Sequence, residues 1–105
     1  LKNKIIGVTC NNSVRKAKEA LKNKADYIAL GAFNQSKTKK VKYKASINDL
    51  KKFRKISKKP IIAIGGINLR NYKKLLLNKA DFLAISSFIW KNKKLKPYEA
   101  INKLK

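Results

Sequence analysis

Asn23-Lys24-Ala25-Asp26-Tyr27-Ile28-Ala29-Leu30 returns 55 residues later as Asn78-Lys79-Ala80-Asp81-Phe82-Leu83-Ala84-Ile85. In both copies a short polar turn runs straight into four apolar residues. Ahead of each copy stands another short apolar run, Ile5-Ile6-Gly7-Val8 and Ile61-Ile62-Ala63-Ile64. These runs are strand-sized and continuous rather than alternating, as parallel strands buried on both faces are written. Parallel strands need a long crossover between them, usually a helix. The chain therefore reads as strand, helix, strand, helix, twice over.

The crossovers carry helical signals. Asn12 or Ser13 can cap a first helix with Val14, Ala17 and Leu21 at helical spacing. Ser46 with Asp49 resembles a capping box, and Ile47, Leu50 and Phe53 give that helix an apolar face. Asn68 is the candidate cap of a third helix, with Tyr72, Leu75 and Leu76 facing inward. Pro97 suits the first turn of a last helix that carries Ile101 and Leu104. Four βα units imply a parallel sheet covered by helices. Two architectures are open: a four-stranded doubly wound sheet, or half of an eight-stranded barrel. A whole barrel takes roughly 200 residues or more, so 105 is about half. A half-barrel leaves two strand edges unpaired and needs its other half, a second copy or a partner chain.

Composition narrows the function classes. There is no histidine, which excludes a Ser-His-Asp triad, a histidine metal site and imidazole acid–base chemistry. The one cysteine, Cys10, excludes a cysteine zinc cluster and an internal disulfide; it reads as a small buried filler and suits a reducing cytoplasm. No apolar run approaches the roughly 20 residues that span a bilayer. The first residues do not read as a secretory signal. The formal charge of +23 invites a polyanion, so a basic nucleic-acid-binding module is one alternative. Against it, only Arg15, Arg54 and Arg70 are arginines, and the lysines are scattered along every element instead of forming a stripe. Base-reading surfaces lean on the arginine fork.

In barrels of this kind, function collects at the C-terminal ends of the strands. Those ends are Thr9-Cys10-Asn11-Asn12, then Gly31 with a long polar loop over residues 32–45, then Gly65-Gly66, then Ser86-Ser87. A glycine pair after a buried strand lets the backbone approach an anion with its N–H groups, and it also suits a tight turn. Barrel phosphate sites are often built after strands seven and eight, beside a short helix. If these are the last four strands, Gly65, Gly66, Ser86 and Ser87 fall there, and Phe88-Ile89-Trp90 is the short helix. One of the serines can also be a helix cap. In the loop Asn34-Gln35-Ser36-Lys37-Thr38-Lys39-Lys40, Ser36 and Thr38 point the same way if the segment is extended, and Lys39 or Lys40 can neutralise a phosphate. Such a loop is also what a solvated lysine-rich surface looks like. Asp26 and Asp81 stand at the strand entrances, the wrong end, and read as helix-to-strand turn residues. No acid is well placed for a catalytic Mg²⁺.

Ile6-Gly7-Val8-Thr9-Cys10-Asn11-Asn12-Ser13, Ala25-Asp26-Tyr27-Ile28-Ala29-Leu30-Gly31, Ser36-Lys37-Thr38-Lys39, Ile62-Ala63-Ile64-Gly65-Gly66-Ile67, Ala80-Asp81 and Ile85-Ser86-Ser87-Phe88-Ile89 occur in one order and spacing. Together they resemble the thiamine phosphate synthase family along the whole chain, over strands five to eight of that (β/α)8 fold. The resemblance implies a single C-terminal half-barrel over residues 1–105, incomplete without an N-terminal half. It implies a cytoplasmic, Mg²⁺-dependent transferase that joins a hydroxymethylpyrimidine diphosphate to a thiazole phosphate and releases pyrophosphate. Ser36, Thr38, Gly65, Gly66, Ser86 and Ser87 match the thiazole phosphate contacts. Lys39 matches the lysine that meets the pyrimidine diphosphate, and Thr9 a hydroxyl position, usually serine, near the same group. Asn11-Asn12 departs from a segment where histidine is common, and Ser36 stands where threonine is usual. The metal ligands and much of the pyrimidine site lie on strands one to four of the family fold. The isolated chain is accordingly expected to be inactive; an inactive half-barrel paralogue is the remaining alternative. The sister thiazole tautomerases work through a histidine at the end of strand five, which this chain lacks.

Overall fold

The computed structural model describes residues 3–33 and 44–105. Four parallel strands, β1 (Gly7–Thr9), β2 (Tyr27–Leu30), β3 (Ile61–Ile64) and β4 (Phe82–Ala84), form one sheet in the order β1-β2-β3-β4. Between them run α1 (Val14–Lys22), α2 (Ile47–Ile56) and α3 (Tyr72–Leu77), and after β4 come α4 (Ser87–Trp90) and α5 (Pro97–Lys103). Every strand lies beside its predecessor. Parallel crossovers share one hand, so a strictly sequential order puts all the crossover helices on one face. A doubly wound sheet reverses its strand order and carries helices on both faces. This sheet is an arc of a barrel.

The burial pattern agrees. Ile28, Leu30, Ile61 and Ala63 alternate along β2 and β3 and pack with Ala17, Ala20, Leu50, Phe53, Tyr72 and Leu75 in one buried cluster. Each large side chain buried there contributes about 1.5–3 kcal/mol. The other face belongs to Gly7, Thr9, Tyr27, Ala29, Ile62, Ile64, Phe82 and Ala84, aligned across the sheet by register. It is an open hollow of about 240 Å³, and Phe82 at its margin is 59% exposed. No helix among the described residues is long and apolar enough to cross a membrane.

Local sequence explains most element boundaries. The Ser13 hydroxyl accepts the Lys16 N–H at 3.1 Å and caps α1. Ser46 and Asp49 close the predicted capping box of α2: each side chain accepts the other's backbone N–H, at 2.9 and 3.2 Å. Asn68 does not cap α3. Asn71 holds the N-cap position, while the Asn68 carboxamide oxygen accepts the Arg70 N–H in a tight turn. Leu76 turns outward, and Ala100 rather than Ile101 is the buried residue of α5. β1 begins at Gly7, two residues later than its apolar run; Ile5 and Ile6 are exposed at the sheet edge.

The repeat is structural as well as sequential. Asn23 and Asn78 both end their helices at φ −94 and ψ 23, and each side chain donates to a carbonyl four residues back at 2.8 Å. Lys24 and Lys79 both take positive φ. Asp26 Oδ2 accepts the Ile6 N–H at 2.7 Å, and Asp81 Oδ2 accepts the Ile61 N–H at 2.8 Å. Both aspartates are turn residues tying a strand entrance to its neighbour, as their sequence position suggests.

Candidate functional site

The C-terminal rim of the sheet is knitted by backbone bonds that cross from strand to strand. The Cys10 N–H donates to Ala29 O at 2.8 Å, Gly31 N–H to Asn11 O at 3.2 Å, and Phe33 N–H to Gly65 O at 2.9 Å. Asn11 takes φ 52, a left-handed conformation that asparagine tolerates better than most residues. Gly31 has no room for a side chain: a Cβ there would stand 2.1 Å from Ile64 O. Gly65, at φ +83, would put a Cβ 2.4 Å from that of Ala32. Thus β2 and β3 leave the sheet in backbone contact, and Gly65 is required by both its dihedral and its neighbour. Gly66 follows at φ 71, its carbonyl held by the Asn71 side chain at 2.9 Å.

β3 pairs with β4 so that Ile64 stands opposite Ala84. Gly65-Gly66 and Ile85-Ser86-Ser87 therefore emerge side by side from the same end of neighbouring strands. Ser86 holds the N-cap position of α4 but makes no side-chain cap bond, and both serines are exposed. The capping role open to them in the sequence is not the one taken by Ser86. Thr9 lies in the concave hollow with Gly7, Tyr27 and Ala29, on the same face and near the same rim. Ser36, Thr38 and Lys39 lie outside the described residues. The residues flanking them, Phe33 and Ala45, are joined to the rim: Ala45 N–H donates to Ala32 O at 2.7 Å, beside the Phe33–Gly65 bond.

Cys10 is fully buried, its thiol 3.5 Å from Val8 O. Burial pushes that thiol up against a smaller pull down from Lys16, so it stays protonated and packs as a small apolar residue. No group of three His, Cys, Asp or Glu that could hold a metal ion occurs among the described residues. Asp26 and Asp81 are tied down at the opposite end of the strands, Asp49 is in its capping box, and Glu99 accepts the Lys96 N–H at 3.1 Å. This donor set does not fit Mg²⁺.

Two features escaped the sequence reading. Gly7 sits under the Tyr27 ring, whose nearest carbon would be 1.9 Å from a Cβ at Gly7. Arg54 reaches Asp81 at 2.6 Å and the carbonyls of Ser57, Lys59 and Lys79 at 2.9, 3.0 and 3.3 Å. The signal for the second was an arginine in a chain that otherwise uses lysine, since only a guanidinium spans several acceptors at once.

Comparison with known proteins gives one consistent result. A family model described as thiamine monophosphate synthase matches residues 1–89. The thiamine-phosphate synthase of Pelagibacter ubique is 67% identical over all 105 residues, which make up 51% of that protein. That of Nitrosomonas eutropha is 46% identical over 89 residues, 85% of this chain and 42% of the relative. Among solved structures, a thiamine phosphate pyrophosphorylase from Pyrococcus furiosus superposes with TM-score 0.84 at 29% identity, over 98% of this chain and 48% of the other. The chain spans about half the length of the relatives it matches.

Proposed function

The chain belongs to the thiamine monophosphate synthase family, and from that membership we propose that it is the phosphate-binding half of a transferase joining hydroxymethylpyrimidine diphosphate to thiazole phosphate. The observation that carries this reading is the β3–β4 register, which sets the glycine pair beside the serine pair at one end of the sheet. The glycine pair adds no side chain of its own to the rim, and the hydroxyls of Ser86 and Ser87 donate to an anion's oxygens. With Ser36 and Thr38 they form the thiazole phosphate site. Thr9, on the concave face, and Lys39 meet the pyrimidine's diphosphate.

In the reaction the thiazole nitrogen forms a bond to the pyrimidine methylene while the C–O bond to diphosphate breaks. Negative charge grows on the departing pyrophosphate and positive charge on the methylene. Lys39 and the Thr9 hydroxyl stabilise the leaving group, and the phosphate site fixes the nucleophile in line. The nucleophile carries its own lone pair, so no histidine base is called for. Mg²⁺, which the family implies, would further neutralise the diphosphate; its ligands belong to the complementary half.

Co-expressing this chain with the part of the Pelagibacter relative that it does not match, then assaying thiamine phosphate formation, tests the reading. The mixture is expected to turn over and each half alone to be inactive. Replacing Ser86 and Ser87 by Ala is expected to raise KM for thiazole phosphate about tenfold or more, leaving that for the pyrimidine diphosphate unchanged. A stable, folded complex without turnover would reject the proposal.

A further inference from the structure

We infer that Asp26 is the receiving half of a second arginine clamp, whose guanidinium comes from a helix docking in the groove between β1 and α1. The argument is the internal repeat compared with itself. At Asp81 the carboxylate takes the Ile61 N–H and, beside it, the Arg54 guanidinium, which goes on to the carbonyls of Lys79 and Lys59. At Asp26 the two bonds that tie the strand entrances and the turn before them recur without the guanidinium. Asp26 Oδ2 holds the Ile6 N–H, Asp26 N–H donates to Ile6 O at 2.8 Å where Asp81 N–H donates to Ile61 O at 2.9 Å, and Lys24 repeats the positive φ that turns the Lys79 carbonyl toward Arg54. Shifted by the 55-residue repeat, the positions corresponding to the acceptors Asp81, Lys79 and Lys59 are Asp26, Lys24 and Lys4. Among the described residues Arg54–Asp81 is the one ion pair, so no described cation fills the first copy.

The position of the missing helix follows from the same comparison. α2 brings Arg54 to its clamp from beside α3, where Arg54 lines a cleft with Leu77, Asn78 and Lys79. In the first copy Asn23 and Lys24, the counterparts of Asn78 and Lys79, line a groove of about 280 Å³ beside α1 together with Ile6, Val8 and Ala20, next in sequence to Asp26. It is open, and it runs along the unpaired edge of β1. Its occupant is therefore an amphipathic helix presenting one arginine, packed on β1 and α1 as α2 packs on β3 and α3. The inference rests on the proposed function only in taking that helix from the complementary half.

Asp26→Asn isolates the effect, because the carboxamide oxygen still accepts the Ile6 N–H while the charge is gone. Sedimentation equilibrium of the chain with the complementary half of the Pelagibacter relative then reads the clamp. The dissociation constant should rise about tenfold or more in Asp26→Asn, by a ratio that shrinks in raised salt. In a double-mutant cycle, one arginine of that half should lose its effect once Asp26 is Asn. An unchanged dissociation constant, no coupled arginine, or no association at all overturns the clamp. Turnover with an unchanged constant overturns only the clamp; a charge-dependent complex without turnover overturns only the proposed function.

Discussion

At Arg54 four acceptors converge on one side chain: Asp81 Oδ2 and the carbonyls of Ser57, Lys59 and Lys79. A lysine ammonium is a single point on a flexible stem and cannot span that fork. Arg54→Lys should cost about 1–2 kcal/mol, and Arg54→Ala no less, as read by urea unfolding. Desolvation pushes the Asp81 carboxyl up, but the Ile61 N–H and the Arg54 guanidinium outweigh it and hold it below the usual carboxylate range. A carboxyl depressed in the folded state binds its proton more readily when unfolded. Its stabilisation is therefore complete above the ordinary aspartate pKa, about 3.9, and is lost as pH falls through the lower folded value. Acid unfolding followed by circular dichroism should show that loss in the parent and not in Asp81→Asn. Gly65→Ala meets two obstacles, a positive φ and the Ala32 side chain, and should destabilise by about 1–3 kcal/mol. Gly65 announced itself in the sequence because a glycine pair at a strand end has a local meaning. Gly7 did not, because its reason is a ring on the next strand.

The same division between local and distant causes holds for the elements. The α2 start was legible because a capping box is written in four consecutive residues, Ser46 to Asp49. Ser46→Ala should cost about 1 kcal/mol of unfolding free energy, and Asp49→Asn less, since the carboxamide still offers an oxygen to the Ser46 N–H. Four parallel strands with intervening helices were legible because buried strands write continuous apolar runs. Which residues of a helix face inward was legible only where the neighbouring element is present. Leu50 and Phe53 meet the sheet and are buried, while Leu76 and Ile101 keep the apolar spacing and remain exposed. Periodicity says that a residue should be covered; it does not say by what. The cap of α3 was misassigned because Asn68 and Asn71 carry the same chemistry three residues apart, and the tight turn at Asn68 decides between them. At the rim, the glycine and serine pairs could be ordered along the chain, but their adjacency needed the Ile64–Ala84 register.

Across the whole molecule, the sheet has one face finished and one not. The helix-facing side buries Ile28, Leu30, Ile61 and Ala63 fully and Val8 and Leu83 in part, whereas the concave side leaves Phe82 exposed and Ile62 and Ile64 half-covered. In closed barrels the inward side chains fill the interior in packed layers. Phe82 is the largest side chain on this face of the β4 edge. The two faces should therefore answer differently to substitution. Phe82→Ala removes a ring that is already mostly in water, so urea unfolding of the isolated chain should shift by no more than about 0.5 kcal/mol. On closure against a complementary half the same ring would go from water into a packed interior, a gain of about 1.5–3 kcal/mol. Sedimentation of the mixed halves should accordingly show at least a tenfold weaker complex for Phe82→Ala. Leu50→Ala, on the finished face, should do the reverse: it costs the isolated chain about 2–5 kcal/mol. If Phe82→Ala destabilises the isolated chain as Leu50→Ala does, the concave face is already covered, and the barrel is not what completes it.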